Sequence, residues 1–374
     1  MNNDLRQKNL GLFFTYGMSL EKWKKYGMYD RELALYKLIA KKLGKVFLFT
    51  YGDEDTGFVV DLAKYGLVVC HKKKHVPNII YSLILPFAYR REMKSIDIIK
   101  TNQMMGVWTA IIAKCVYRKP LITRTGYTYS RFAYLKKKYI KYIFGKIIEC
   151  LASFFSDKIV VATKIEKQYY PTWVYKKITI IPNYVDTSLF KPDISKNNDK
   201  KEKKLLCIGR LTKQKNLFNL IEAVGIVDNV TLQIIGQGEL KEQLIEFAKE
   251  KNVHVEFLGA KPHEELPKYI NQADIFILPS FYEGNPKVLL EAMACGALVI
   301  GTDVEGIRKI ILDSNAILSG INVKQLCVAI NNLLLYNNVV KQQISKNMRN
   351  FIINNFSLEH VIKLEIKNIV YILS

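Results

Sequence analysis

An α/β fold built from two doubly wound halves is what this 374-residue sequence predicts, and three observations lead to it. Short β-branched or aromatic runs alternate with helical stretches along the whole chain. The length exceeds what one ordinary core accommodates, at 49% hydrophobic residues. A polar, charged, Pro-bearing segment, VDTSLFKPDISKNNDKKEKK at 185–204, interrupts the alternation and has the composition of a linker.

The first series of buried-looking parallel strands is NLGLFFTYG (9–17), KVFLFTYGD (45–53), GLVVCHK (66–72), DIIKTNQ (97–103), PLITRTGY (120–127) and DKIVVAT (157–163). The second is KLLCIGR (204–210), VTLQIIG (230–236), VHVEFLG (253–259), DIFILPS (274–280), LVIGTD (298–303) and NAILS (315–319). These series give a Rossmann-like domain over 1–183 and another over 184–356, with a helical tail over 357–374 that packs back on the first. In doubly wound sheets ligands bind beyond the carboxyl ends of the strands, so the residues just after each strand matter most.

Bulk properties exclude other classes. A 24% share of charged residues argues against disorder, and no apolar run reaches the ~18 residues of a spanning helix. The first residues lack the apolar core of a signal peptide. Six scattered cysteines without a CxxC pair read as reduced core residues of a cytoplasmic protein. The formal charge of +22 favours anionic partners, against the alternative of a simple bias toward Lys, Asn, Ile and Tyr. His71 and His75 flank a lysine triplet with no third ligand at metal spacing, and His263 opens a helix as a structural residue.

The stretch EGNPKVLLEAMACG (283–296) follows the strand DIFILPS. Asn285 suits an N-cap, Pro286 the first helical turn and Gly296 the residue past the end, giving a helix over about 286–295. Backbone N–H groups from Gly284 to Lys287 and the positive helix end form an anion cradle. Glu283 in the loop can share that ligand if it bonds to hydroxyls, a combination suited to a nucleotide sugar. After the strand KLLCI, Arg210 and Lys215 offer a planar fork and a mobile point charge for phosphate.

These residues carry a resemblance. GRLTKQKN (209–216), IIGQGEL (234–240) and VEFLGAKPHEELPKYINQADIFILPSFYEGNPKVLLEAMACGALVIGTDVEG (255–306), with IPNYVDTSLFKP (181–192), resemble the nucleotide-binding half of retaining GT-B glycosyltransferases, most closely family 4, glycosyl transferases group 1, of the bacterial surface-polysaccharide type. The resemblance implies two domains facing a central cleft. It implies that Glu283 contacts donor-sugar hydroxyls, Glu291 the ribose, Arg210 and Lys215 the diphosphate, and Gly259 to Pro262, Lys261 included, the nucleobase. Glu283, Arg210 and Lys215 are then the catalytic candidates, with Gly17, Gly259, Lys261, Gly284, Asn285, Pro286, Lys287 and Glu291 joining them in donor binding. The leaving nucleoside diphosphate gains charge as the glycosidic bond stretches, and this cationic set can stabilise it without a metal. No DxD-type acidic pair follows a strand, so no metal and no cofactor is expected beyond a UDP- or GDP-linked donor as substrate.

On the acceptor side, Asn102 stands where the family often has histidine; it can bond a hydroxyl but is no base near neutral pH. Arg124 follows the fifth strand and is placed to meet an acceptor phosphate. Tyr184 replaces a frequent glycine and Lys309 a frequent acid. Read as one helix, 131–155 carries Arg131, Lys137, Lys138, Lys141, Tyr134 and Tyr142 on one arc and Phe132, Tyr139, Ile140, Ile143 and Ile147 on the other. The cationic arc suits an anionic bilayer. The expected function is transfer of a sugar to a saccharide or polyprenyl-diphosphate-linked glycan at the inner face of the plasma membrane. An epimerase or phosphorylase of the same fold is the rival enzyme, and a basic nucleic-acid-binding protein the rival of another class; neither a stacking groove nor a known nucleic-acid module is present.

Overall fold

The computed structural model describes residues 5–73, 76–126, 128–193, 202–314 and 316–374. His75, Tyr127, Asn315 and the linker's 194–201 lie outside the described residues. The chain forms two compact units, one of Met1–Pro182 with Val361–Ser374, the other of Asn183–His360.

Unit 1 holds a parallel sheet in the order β3-β2-β1-β4-β5-β6-β7: β1 Leu10–Phe13, β2 Val46–Phe49, β3 Leu67–Cys70, β4 Ile98–Thr101, β5 Leu121–Thr125, β6 Lys158–Val161 and β7 Ile178–Ile180. Most of these strands are buried on both faces, which is why they read as continuous apolar runs. The last strand has no counterpart among the runs read from the sequence. It is a three-residue, half-buried edge, too short for a periodic signal. The order reverses between β1 and β4, and the loops after these two strands meet there: the Tyr16 N–H donates to the Met105 carbonyl at 3.0 Å.

The final helix, Leu358–Leu373, closes this unit. Its Glu365 is fully buried against Lys100 Nζ (2.6 Å) on β4 and Arg124 Nη1 (3.3 Å) on β5, and Asn368 accepts from Thr179 Oγ1 at 3.2 Å on β7. Burial pulls the Lys100 ammonium below its usual range, Glu365 opposes this, and Arg124 adds to it.

After β6, Thr163 and Glu166 form a reciprocal capping box for helix Lys164–Gln168. Glu166 accepts the N–H groups of Ala162 and Thr163 at 2.7 and 3.1 Å. Burial pushes this carboxyl up from 4.5 to about 7, with the two N–H bonds and Arg124 pulling the other way. Because the folded value exceeds the unfolded one, the associated stability is present below pH 4.5 and is lost as pH rises to about 7. Relative to Glu166→Gln, the native chain is expected to lose up to about 3 kcal/mol of unfolding free energy across that window. Denaturant melts at a series of pH values check this; a flat difference between the two proteins refutes it.

The segment 131–155 departs from a single amphipathic helix. It is two helices, Tyr129–Leu135 and Tyr139–Phe155, broken where Lys137 takes a left-handed conformation (φ 55°). The second turns Gly145, Ile148, Glu149, Ala152 and Ser153 inward, and Glu149 Oε2 accepts from Ser130 Oγ at 2.9 Å. This packing leaves Ile140 (86% exposed), Ile143, Phe144, Ile147 and Phe154 outside.

Unit 2 repeats the design with six parallel strands in the order β10-β9-β8-β11-β12-β13: β8 Lys203–Ile208, β9 Val230–Ile235, β10 Val255–Gly259, β11 Ile275–Leu278, β12 Leu298–Thr302 and β13 Ile317–Ser319. Apolar clusters cover both faces, one around Phe276, Leu289, Met293 and Ile352, the other around Leu205, Ile221, Leu232 and Ile330. The switch in strand order falls between β8 and β11.

Candidate functional site

The two loops at this switch point hold the charged residues singled out above. After β8 the chain runs through Gly209 and Arg210 into a short turn, Lys213–Lys215, that carries Lys215 inward. After β11 it runs through Ser280 and Glu283 to helix Lys287–Ala294. The loops are tied together: Phe281 N–H donates to the Gln214 carbonyl (2.9 Å) and Gln214 Nε2 to the Tyr282 carbonyl (2.9 Å). Lys215 Nζ lies 2.5 Å from Glu283 Oε1, and Ser280 Oγ donates to the same oxygen at 2.8 Å. Both charged side chains are about nine-tenths buried, at 11% and 9% exposure.

Gly306 fixes this loop from behind. A Cβ there would stand 2.3 Å from the carbonyl oxygens of both Glu283 and Gly284, so only glycine lets helix Glu305–Ser314 close against them. Arg210 remains exposed, beside the Tyr282 hydroxyl. Burial pushes that hydroxyl up, Arg210 opposes the shift and Glu283 adds to it.

Helix Lys287–Ala294 starts one residue later than its sequence suggests. Pro286, in extended conformation (ψ 104°), is the N-cap in place of Asn285, and no side chain caps the helix. The Asn285 carbonyl instead accepts from Asn183 Nδ2 at 3.0 Å. Proline has no side-chain oxygen to cap the first turn, so the N-cap residue itself places no acceptor at this positive helix end, a setting that favours an anion. The far end follows expectation: Gly296 is left-handed (φ 70°), with Gly296 N–H donating to Met293 and Ala297 N–H to Ala292. Glu291 sits inside this helix, 3% exposed, with His263 Nε2 2.9 Å from its Oε1.

The remaining candidates divide by unit. Gly259 ends β10 with φ 70°, and Lys261 in the following loop lies over the Tyr269 ring at 5.6 Å. Lys287 lies over the Tyr184 ring at 5.8 Å. In unit 1, Gly17 (φ 74°) has its carbonyl held by Lys22 Nζ at 2.6 Å. Asn102 is 6% exposed and accepts from the Tyr36 hydroxyl at 3.4 Å. Arg124 lies within β5 rather than after it and faces the interior, against Glu365 and, at 3.5 Å, the Pro182 carbonyl, an internal ion pair that its place in the sequence does not announce. Among the described residues no group of three His, Cys, Asp or Glu is arranged to hold a metal ion. A cavity of about 560 Å³ in unit 2 lies at the amino-terminal edge of the sheet, by Lys203, Ile275 and Leu298, away from these loops.

Ser280 and Gln214 are site neighbours to which motif reading gave no role, and His263, read as a structural residue at a helix start, meets Glu291. Ser280 was within reach of the strand-end rule; His263 is 28 positions from Glu291 and no spacing links them.

Two doubly wound parallel sheets, of seven and six strands, are the architecture of GT-B glycosyltransferases. Residues 191–351 match the family described as glycosyl transferases group 1, and the chain is a glycosyltransferase. Among known proteins it is 27% identical over 283 residues to the UDP-Gal:alpha-D-GlcNAc-diphosphoundecaprenol alpha-1,3-galactosyltransferase of Escherichia coli, covering 70% of this chain and 72% of that protein. It is 33% identical over 129 residues to the N-acetylgalactosamine-N,N'-diacetylbacillosaminyl-diphospho-undecaprenol 4-alpha-N-acetylgalactosaminyltransferase of Campylobacter jejuni, covering 34% of this chain and 35% of that one. The fold matches sucrose-phosphate synthase of Thermosynechococcus elongatus (TM-score 0.79, 18% identity, 98% and 100% coverage) and Anabaena HepE in complex with UDP and glucose (TM-score 0.77, 16% identity, 97% and 100% coverage).

Proposed function

We propose that the chain transfers a sugar from a UDP- or GDP-linked donor to a saccharide carried on polyprenyl diphosphate, in surface-polysaccharide synthesis, with retention of anomeric configuration and without a metal. The observation that carries this is the Lys215–Glu283 pair beside the uncapped start of helix Lys287–Ala294. The helix start and the two cations suit a diphosphate that gains charge as it leaves. Glu283 suits the hydroxyls of the donor sugar, and Glu291 those of the ribose. Relatives whose names specify diphosphoundecaprenol acceptors support the acceptor class.

The test is incubation of the purified protein with a panel of nucleotide sugars and a short-chain polyprenyl-diphosphate disaccharide. The expected result is one new glycosidic bond with the donor's configuration, with the matching nucleoside diphosphate raising the melting midpoint. Absence of both transfer and any nucleotide-induced shift overturns the reading.

The acceptor class calls for a membrane surface, and the exposed stripe of helix Tyr139–Phe155 supports one. Ile140, Ile143, Ile147 and Phe154 are apolar groups that water disfavours, and exposed Lys136, Lys137, Lys138 and Lys141 lie at its start. Docking here is through inserted apolar side chains with lysines on acidic headgroups, rather than through a cationic arc alone. Ile140→Glu together with Ile143→Glu is expected to reduce cosedimentation with vesicles containing acidic phospholipid several-fold; unchanged binding refutes the assignment of this face.

A further inference from the structure

We infer that His263 is a positioning residue for Glu291, holding its carboxylate in the orientation that receives the ribose hydroxyls of the donor. The inference rests on the reading of Glu291 as the ribose ligand. A glutamate has three rotatable side-chain bonds, and ordering them on binding costs up to about 1.5–2 kcal/mol. A carboxylate already fixed in place avoids that cost. In this fold the imidazole Nε2 stands 2.9 Å from Glu291 Oε1, and since a carboxylate only accepts, this contact is an N–H donated by the ring.

The ring is itself held. It lies against Phe190, which is fully buried, with centroids 5.0 Å apart and planes tilted by 54°. Its backbone opens the turn His263–Glu265 directly after the β10 loop, and that loop is anchored where the Gly236 N–H donates to the Gly259 carbonyl at 2.8 Å. His263 and Glu291 thus arrive from the loop after β10 and the helix after β11, at the same carboxyl edge of the sheet as Lys215 and Glu283. The side chains are 13% and 4% exposed, so the contact is shielded from bulk water, where a hydrogen bond to a charged group counts for more.

Two substitutions separate positioning from packing. His263→Phe keeps an aromatic ring against Phe190 and removes the N–H. His263→Gln restores an N–H near the Nε2 position. The readout is the affinity ratio of UDP or GDP, whichever the native chain binds, over its 2′-deoxy and 3′-deoxy forms, measured by calorimetry. His263→Phe is expected to lose about tenfold of that ratio, the scale of one hydrogen bond to a charged group, and His263→Gln to recover most of it. Glu291→Ala is expected to abolish the ratio, with no further loss in the Glu291→Ala, His263→Phe double variant. If Glu291→Ala abolishes it while His263→Phe leaves it intact, His263 has no positioning role and the inference fails alone. A ratio that survives Glu291→Ala, or is near one in the native chain, overturns the ribose reading and the inference with it.

Discussion

Replacing Glu365 by leucine is expected to lower the thermal midpoint by roughly 10 °C, the consequence of stranding a buried charge at about 3–5 kcal/mol. Glu365 and Lys100 have no exposed side-chain surface, and Arg124 has 8%. With the carboxylate gone, the Lys100 ammonium loses its 2.6 Å partner beside the Arg124 guanidinium, and burial already presses Lys100 toward its neutral form. The compensating substitution Lys100→Met in the same chain is expected to restore much of the midpoint, because an apolar pair of similar volume avoids the desolvation of two ions. Scanning calorimetry of the single and double variants decides the matter. A midpoint for Glu365→Leu within 2 °C (roughly the effect of 1 kcal/mol or less) would mean that the Glu365 carboxylate does not hold these cations in the native protein.

The second large effect is on turnover. Lys215→Ala and Arg210→Ala are each expected to lower kcat by roughly 10²–10³, the range seen when one preorganised donor to a developing anion is deleted. Lys215 has a dual position, since it also neutralises Glu283 at 2.5 Å in the absence of donor. Its removal leaves that acid to Ser280 alone among the bonds described here, so Lys215→Ala and Glu283→Gln are expected to be non-additive, their double variant losing less than the product of the two. Steady-state kinetics at saturating donor give the answer. Turnover like that of the native chain in both Lys215→Ala and Arg210→Ala would remove the cationic groups from the chemistry.

Much of the fold was legible because its information is local. Runs such as KLLCI and DIFIL are buried on both faces, and alternation with helical segments leaves little choice but parallel doubly wound sheets. What escaped was non-local or too short. Ile178–Ile180 is a three-residue edge strand. The break at Lys137 has no Gly or Pro to mark it, and a lysine in left-handed conformation is set by packing rather than by composition. At the site, strand ends and the acid spacing pointed to the loops. The partners within them did not show, because Lys215 meets Glu283 across 68 positions and His263 meets Glu291 across 28. The N-cap at Pro286 was misread for a related reason: Asn285 spends its carbonyl on Asn183, 102 positions away, and the chain stays extended for one residue more.

The return of the final helix bears on how the protein is made. Arg124 leaves the ribosome 241 residues before Glu365, and at about 5–20 residues per second that is roughly 10–50 s of elongation. Throughout that interval the first sheet holds Lys100 and Arg124 before the carboxylate of Glu365 has joined them. The first unit thus matures last, after the second has emerged, and nascent chains that stall before Glu365 present an unfinished interior to chaperones and proteases.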